Sequence, residues 1–152
     1  MFVDDEYRID GKIKIVSHLN YSFDNPLNDK FYKKTGTDFI KDDFSHEIAL
    51  VISEEGKNVL ISGCFHSGVV NAISRAAEEG NNITHVVGGF HLSTSNGGKV
   101  SKKYSDELIC FLRQNKIASY TGHCTGEFYL NKLQNELRTK VFPIYTGSKY
   151  SI

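Results

Sequence analysis

The sequence predicts an α/β domain, because short apolar segments alternate with amphipathic segments between residues 58 and 142. The apolar segments have the length and composition of strands, and the segments between them repeat apolar residues at helical spacing. A chain of 152 residues is long enough for one domain with a hydrophobic core. Hydrophobic residues make up 39% of it, so a disordered chain is not expected. We therefore predict a single domain over residues 1–152.

The first predicted element is a strand, and an irregular stretch follows it. Residues 12–16 (KIKIV) alternate apolar and polar side chains, as a half-buried strand does. Residues 18–45 are polar and aromatic without a clear period. Within them, Asn25-Pro26 and Thr35-Gly36 are turn signals.

A hairpin and a strand–turn–helix unit come next. Residues 47–52 and 58–62 are predicted strands, joined by a turn at Glu55-Gly56. The second strand leads into the glycine-rich turn Gly63–Gly68, and Gly80 is the stop signal of the following helix. The apolar positions of that helix are Val69, Val70, Ile73, Ala76 and Ala77.

Two further strand–helix pairs complete the predicted domain. Residues 83–88 and 117–120 are short apolar strands. Ser105 is the predicted N-cap of the helix that follows the strand at 83–88, and Thr125 is the predicted N-cap of the last helix. The predicted buried faces are Leu108, Ile109 and Leu112, with Cys110 among them, and Leu130, Leu133 and Leu137. The predicted terminal strands are Val141-Phe142 and Tyr145–Ile152.

Charge and cysteine content exclude several classes of protein. The formal net charge is zero and no basic block is present, which argues against a nucleic-acid partner. The apolar runs are too short to cross a bilayer, and the N-terminus lacks the apolar stretch of a signal peptide. Three cysteines, an odd number, do not suggest a disulfide framework. We expect a cytoplasmic protein with reduced thiols and with no membrane partner.

Four of the six histidines lie at the ends of apolar segments that are predicted strands. A side chain at a strand end projects into a loop layer, where a site can form. Imidazoles that converge there would form a transition-metal site. Glu47 is placed either to orient the imidazole of its neighbour or to form a solvated pair with it. The four histidines are His46, His66, His91 and His123.

The turn GCFHSG admits several interpretations. A glycine-rich turn before a helix could bind a phosphate at the helix N-terminus, although neither GxxxxGK[ST] nor GxGxxG is present. A cysteine-based phosphatase would need an arginine six residues after Cys64, where this chain has Val70. Besides phosphate binding, two further alternatives stay open: a thiol hydrolase that uses Cys64 and His66, and a metal site that uses either residue as a ligand.

Small residues accompany the other histidines. Gly88 and Gly89 before His91 would let the backbone approach a neighbour closely. Cys124 beside His123 could be a soft metal ligand, but a buried turn residue is the simpler interpretation.

Four segments in order resemble the C-terminal half of metallo-β-lactamase-fold metal-dependent hydrolases, and in particular their dihydropterin-type synthase branch. The segments are DDFSHEIALVI, KNVLISGCFHSGVVNAI, HVVGGFHL and TGHCTG. The resemblance implies an αββα sandwich, of which this chain would form one sheet layer with flanking helices. It also implies a one- or two-metal site at the sheet edge, usually zinc, with manganese or iron as alternatives.

The resemblance implies metal-binding roles for individual residues. His46 is similar to the histidine that follows the family's first metal-binding motif, and His123 to its last ligand. Cys64 or His66 falls where many relatives have a bridging aspartate, and His66 is favoured because imidazole suits a borderline metal. His91 matches a site-facing histidine of this branch.

The family's HxHxDH motif, which lies in its N-terminal half, is missing from the sequence. The chain therefore resembles half of a hydrolase, which would cleave an ester or phosphoester by metal-activated water only when the other half completes it. The alternative is a non-catalytic fragment that assembles with itself or binds a partner. Because one sheet layer alone would expose an apolar face, we expect a homo-oligomer or a complex with a complementary N-terminal half.

Overall fold

The structure is a computed structural model that describes residues 6–19, 23, 31–94 and 97–152. Most of its strands form one seven-stranded mixed sheet, and two others form a separate hairpin. The strands are β1 (Glu6–Arg8), β2 (Ile13–Val16), β3 (Tyr32–Thr35), β4 (Asp38–Lys41), β5 (Ala49–Glu54), β6 (Lys57–Cys64), β7 (His85–Gly89), β8 (Ala118–Thr121) and β9 (Val141–Pro143). The helices are α1 (Val69–Glu78), α2 (Lys102–Gln114) and α3 (Glu127–Leu137), with 3₁₀ turns at His123–Thr125 and Arg138–Lys140.

The sheet has an antiparallel half and a parallel half. Its strand order is β1-β2-β5-β6-β7-β8-β9. Neighbours from β1 to β6 run antiparallel, and neighbours from β6 to β9 run parallel. Helices connect the parallel strands, as such crossovers require. The fold is therefore α/β, as the sequence predicts.

Two adjacent rows of side chains show how the faces of the sheet differ. One row is buried, and its apolar members belong to the same core as the helices: Val51, Leu60, Val86, Ser119 and Val141. The next row points to the opposite face, since successive strand residues alternate in direction. It is equally apolar, but of its members only Tyr120 is buried. We call this row the open face: Ile15, Leu50, Ile61, Val87, Tyr120 and Phe142.

Several predicted elements are confirmed. The hairpin turn at Glu55-Gly56 joins β5 to β6, and both of its residues have positive φ, as two-residue hairpin turns commonly do. The buried faces predicted for α2 and α3 are buried. Helix α1 ends just before Gly80, whose φ is 79°, although Ala77 is exposed and does not belong to its buried face.

Helix α2 begins one turn earlier than predicted. Ser101 is its N-cap, and the Ser101 hydroxyl accepts a hydrogen bond from the N–H of Tyr104 at 3.1 Å. The predicted cap, Ser105, lies inside the helix, where its hydroxyl donates to the carbonyl of Lys102 at 2.9 Å. Cys110, predicted to be in the core, is exposed because it lies on the solvent side of α2.

Four other predictions about secondary structure need correction or cannot be judged. Helix α3 has Gly126 rather than Thr125 at its N-cap. Residues 145–152 form no strand, and the β3–β4 hairpin lies in a stretch predicted to be irregular. The turn predicted at Asn25-Pro26 lies outside the described residues. No helix in the described ranges is long and apolar enough to span a membrane.

Candidate functional site

Three neighbouring strands of the parallel half end at one cavity of about 500 Å³. Strands β6, β7 and β8 end there, and the loop after each strand supplies lining side chains. The carboxyl ends of parallel strands meet at the same edge of a sheet, where binding sites commonly form. The lining residues are Phe31, Cys64, His66, His91, Ser93, Thr94, His123 and Cys124. Four of the five candidate metal ligands from the sequence therefore face a common space.

His46 does not line this cavity. Its side chain is 65% exposed in the loop before β5, with Nδ1 3.7 Å from Oδ1 of Asp42. Its ring contacts the ring of Phe44, with 5.9 Å between centroids. The acidic neighbour of this imidazole is therefore Asp42 and not Glu47.

Glu47 instead holds the turn that follows β6. Its Oε1 accepts a hydrogen bond from the N–H of His66 at 2.8 Å, and its Oε2 accepts one from the N–H of Ser67 at 2.7 Å. A phosphate bound in this turn would compete for these two N–H groups. The carboxylate already occupies them, which disfavours the phosphate-binding interpretation of the turn.

Two imidazoles meet in the cavity beneath aromatic rings. The rings of His66 and His91 lie 4.3 Å apart between centroids. Phe44 stacks on His66 at 4.6 Å, and Phe31 contacts both imidazoles, at 5.3 Å and 5.9 Å. The phenyl rings therefore form an apolar wall beside the nitrogen atoms.

Burial favours the neutral form of both imidazoles. Together with a smaller effect of the neighbouring His66, it lowers the pKa of His91 to about 4. Burial also lowers the pKa of His66, against the opposing effect of Glu47 and Asp42. His91 is only 5% exposed, and neither of its ring nitrogens has a hydrogen-bond partner among the described residues. Because buried polar atoms in proteins are nearly always bonded, this imidazole has the character of a ligand-binding group.

The loops that carry His91 and His123 are bound to each other. The hydroxyl of Thr125 accepts a hydrogen bond from the N–H of Phe90 at 2.9 Å and lies 2.5 Å from the hydroxyl of Thr121. Both histidines have φ of 49°, a left-handed conformation that is uncommon outside glycine. Such backbone conformations cluster at functional sites, and here the network of hydroxyl bonds stabilises them.

The glycines before His91 are required by close packing. A Cβ atom at Gly88 would lie 2.3 Å from the carbonyl oxygen of Ser62. A Cβ atom at Gly89 would lie 2.5 Å from Sγ of Cys124 and 3.5 Å from Sγ of Cys64. The prediction that glycine permits a close backbone approach here is confirmed.

Residues of metal-binding types line the cavity, but their side chains do not surround one point. Among the described residues, no three His, Cys, Asp or Glu side chains are placed to hold a metal ion. Sequence reasoning missed Glu47 and Thr125 as supports of the site. Their bonds join segments 19 and 35 residues apart, and no local pattern indicates such pairs.

Two curated proteins of Methanocaldococcus jannaschii are similar to the chain, and no protein-family model matches it. One is the uncharacterized protein MJ0448, which is 27% identical over 131 residues, covering 86% of this chain and 47% of that protein. The other is a 7,8-dihydropterin-6-methyl-4-(beta-D-ribofuranosyl)-aminobenzene-5'-phosphate synthase. It is 27% identical over 145 residues, which cover 90% of this chain and 45% of that protein. The chain spans about half the length of these relatives.

The solved structure of Tm1679, described as a metal-dependent hydrolase of the beta-lactamase superfamily, is similar over 100% of this chain and 58% of that one. The TM-score is 0.84 and the sequence identity 26%. This chain has a metallo-β-lactamase-type fold. The resemblance seen in the four sequence segments is thereby confirmed. The prediction that the chain forms one sheet layer with flanking helices is confirmed as well.

Proposed function

We propose that this metallo-β-lactamase-fold chain binds a transition metal ion in the cavity and contributes it to a hydrolytic site for esters or phosphoesters. The proposed donors are His66, His91 and His123, with Cys64 as the fourth. Zinc is the proposed ion, with manganese or iron as alternatives. The observation that carries the proposal is the buried, neutral imidazole of His91, whose ring nitrogens have no partner among the described residues. The description of Tm1679 as a metal-dependent hydrolase supports it.

The residue types fit such an ion, because imidazole nitrogen and cysteine sulfur are the donors that zinc and similar metals prefer. Since no three of these side chains surround one point, they must rotate within the cavity to bind. A bound ion would supply a Lewis acid that polarises the scissile group. Glu47 fixes the turn of His66, and Phe31 shields the imidazoles from water.

Hydrolysis is proposed for an assembly and not for this chain alone. The chain covers 47% and 45% of the lengths of its curated relatives, and its sequence lacks an HxHxDH motif. A complementary half would have to complete the donor set. Phosphodiesterase or esterase activity of the isolated chain, abolished by a chelator and restored by zinc, would show that no second half is needed.

The metal proposal is tested by metal content per chain, using plasma mass spectrometry on protein purified without a metal-affinity column. We expect near-stoichiometric zinc after zinc addition and dialysis, and a large loss of bound zinc in His91→Ala and His66→Ala. His46→Ala is the matched control, because its exposed ring lies outside the cavity, and it should keep full zinc. Folded wild-type protein that retains no metal would refute the proposal, and so would loss of zinc in the control alone.

The open face favours a second, non-catalytic role in assembly. Its apolar row crosses the sheet from Ile15 to Phe142, and at the β8–β9 end Tyr150 packs on Tyr120 and Phe142. Exposed apolar patches of this kind mark interaction surfaces. We include in the proposal a second copy or a complementary half packed on this face.

Light scattering tests the assembly. We expect an oligomer at micromolar concentration that Ile61→Lys dissociates. Ala77→Lys is the control, because Ala77 is exposed on α1, away from the open face, and it should leave the assembly unchanged. A monodisperse wild-type monomer would contradict a second copy on this face and would leave the complementary half as its occupant.

A further inference from the structure

Two of the three cysteines approach each other across strand β7. Cys64 ends β6, and Cys124 lies in the 3₁₀ turn after β8, so β7 runs between them in the sheet. Gly89 ends β7 and pairs with Cys64 in the register. A Cβ atom there would lie 2.5 Å from Sγ of Cys124 and 3.5 Å from Sγ of Cys64. The two sulfur atoms therefore converge on the space that a side chain at Gly89 would fill.

Both thiols are free and both line the cavity, so a small reagent can reach them. The third cysteine, Cys110, is exposed on α2 and does not line the cavity. Because both sulfur atoms face the same cavity, either can make the first attack as its thiolate, and the other is close enough to attack the mixed disulfide that results.

We propose that Cys64 and Cys124 form a redox-active pair, which a low-molecular-weight disulfide oxidises to an intramolecular disulfide inside the cavity. One of the two sulfur atoms loses its proton, attacks one sulfur of the reagent and releases one reagent thiolate. The other sulfur atom then loses its proton, attacks the protein sulfur of the mixed disulfide and displaces the second thiolate. The two released thiolates take up the two protons. The protein loses two electrons and the reagent gains them.

Bond formation requires a local movement of the cavity floor. A disulfide needs a sulfur–sulfur distance of about 2.05 Å and a specific dihedral angle, so both side chains must rotate. The 3₁₀ turn that carries Cys124 must move together with its side chain. Oxidation would also remove the Cys64 sulfur from the donors proposed for the metal, so the disulfide and metal binding through Cys64 exclude each other.

The test uses the full chain, reduced and free of metal, incubated with oxidised glutathione and then alkylated for peptide mass mapping. We expect two of the three thiols to disappear and the Cys64 and Cys124 peptides to become linked. Cys110→Ser is the matched control and should form the same link. Cys124→Ser and Cys64→Ser should each stop at a mixed disulfide on the cavity cysteine that remains.

Separate mixed disulfides on the wild-type cysteines, a link to Cys110, or reaction of Cys110 alone would overturn the inference. Circular dichroism checks that each variant is folded. If Cys64→Ser fails to fold, the adduct trapped in Cys124→Ser decides. The two proposals are tested on separate samples of the reduced chain. Failure of the reduced chain to take up zinc contradicts only the metal proposal, and failure of oxidised glutathione to link Cys64 to Cys124 contradicts only the redox pair.

Discussion

The two halves of the sheet differ in what they contribute to the cavity. Strands β6, β7 and β8, paired in parallel, each end in a residue or loop that lines it. Strands β1, β2 and β5 pair antiparallel, and none of their residues lines it. Antiparallel neighbours end at opposite edges, whereas parallel neighbours end together. Strand direction therefore explains why the candidate site lies where it does.

One residue of the antiparallel half forms hydrogen bonds with the cavity-lining part of the parallel half. Glu47 lies just before β5, in the antiparallel half, and its carboxylate bonds the turn after β6 that carries His66. The antiparallel half therefore supports the site through one side chain without lining it. Variants in the two halves should show how far the site depends on each half, and the largest effect is expected in the parallel half.

The largest effect is expected from Gly88→Ala in the parallel half. Gly88 has φ of 150°, and an added Cβ would lie 2.3 Å from the Ser62 carbonyl oxygen. The free energy of unfolding should fall by about 3 kcal/mol or more, measured by urea denaturation. The control in the antiparallel half is Gly11→Ala, where nothing lies within 4 Å of the added atom. Its effect should stay within about 0.5 kcal/mol. Equal losses in the two variants would contradict the packing argument.

Glu47→Ala should lower the free energy of unfolding by about 2 kcal/mol, because two backbone N–H groups lose a charged acceptor. Glu54, whose carboxylate forms an exposed pair with Lys12 in the antiparallel half, provides the control. Glu54→Ala should be close to wild type in the same urea titration. A Glu47 variant as stable as this control would show that the antiparallel half does not support the site.

The pH dependence of stability should reflect the buried imidazole of His91. Its pKa is about 4 in the folded chain and 6.5 when unperturbed, so the unfolded chain binds more protons between these values. Stability of the metal-free protein should therefore fall as pH drops from about 6.5 towards 4, by about 2 kcal/mol. His91→Gln should flatten the profile, as followed by thermal unfolding at each pH. An unchanged slope in this variant would assign the effect to other groups.

The smallest effect is expected from Ser101→Ala at the N-terminus of α2. The N–H of Tyr104 would lose its acceptor, and the melting temperature should drop by the equivalent of about 1 kcal/mol. Cys110→Ser, on the exposed side of the same helix, is the control and should melt like wild type. If Ser105→Ala were the only serine variant to lose stability, the cap assignment would be wrong.

The parallel half could be predicted well from sequence because its signals are local. Strand, glycine-rich turn and amphipathic helix follow one another there, and the histidines sit just beyond the strand ends. The argument from strand ends grouped His46 with the other three histidines, but it does not hold for this residue, because His46 precedes an antiparallel strand and lies outside the cavity. The β3–β4 hairpin was missed because Phe39 and Ile40 on it are exposed and give no half-buried pattern. Ser101 and Ser105 are equally plausible caps by residue type, and only the hydrogen bond to Tyr104 distinguishes them.

The bond between the Thr125 hydroxyl and the N–H of Phe90 also bears on the order of folding. It joins residues 35 apart, whereas the turn at Glu55-Gly56 closes the β5–β6 hairpin with two residues. Local contacts form early and distant ones late, because a long chain segment must first be brought together. We expect the hairpin to form before β7 and β8 dock beside it. A partly folded chain would then possess most of its antiparallel scaffold and none of its cavity.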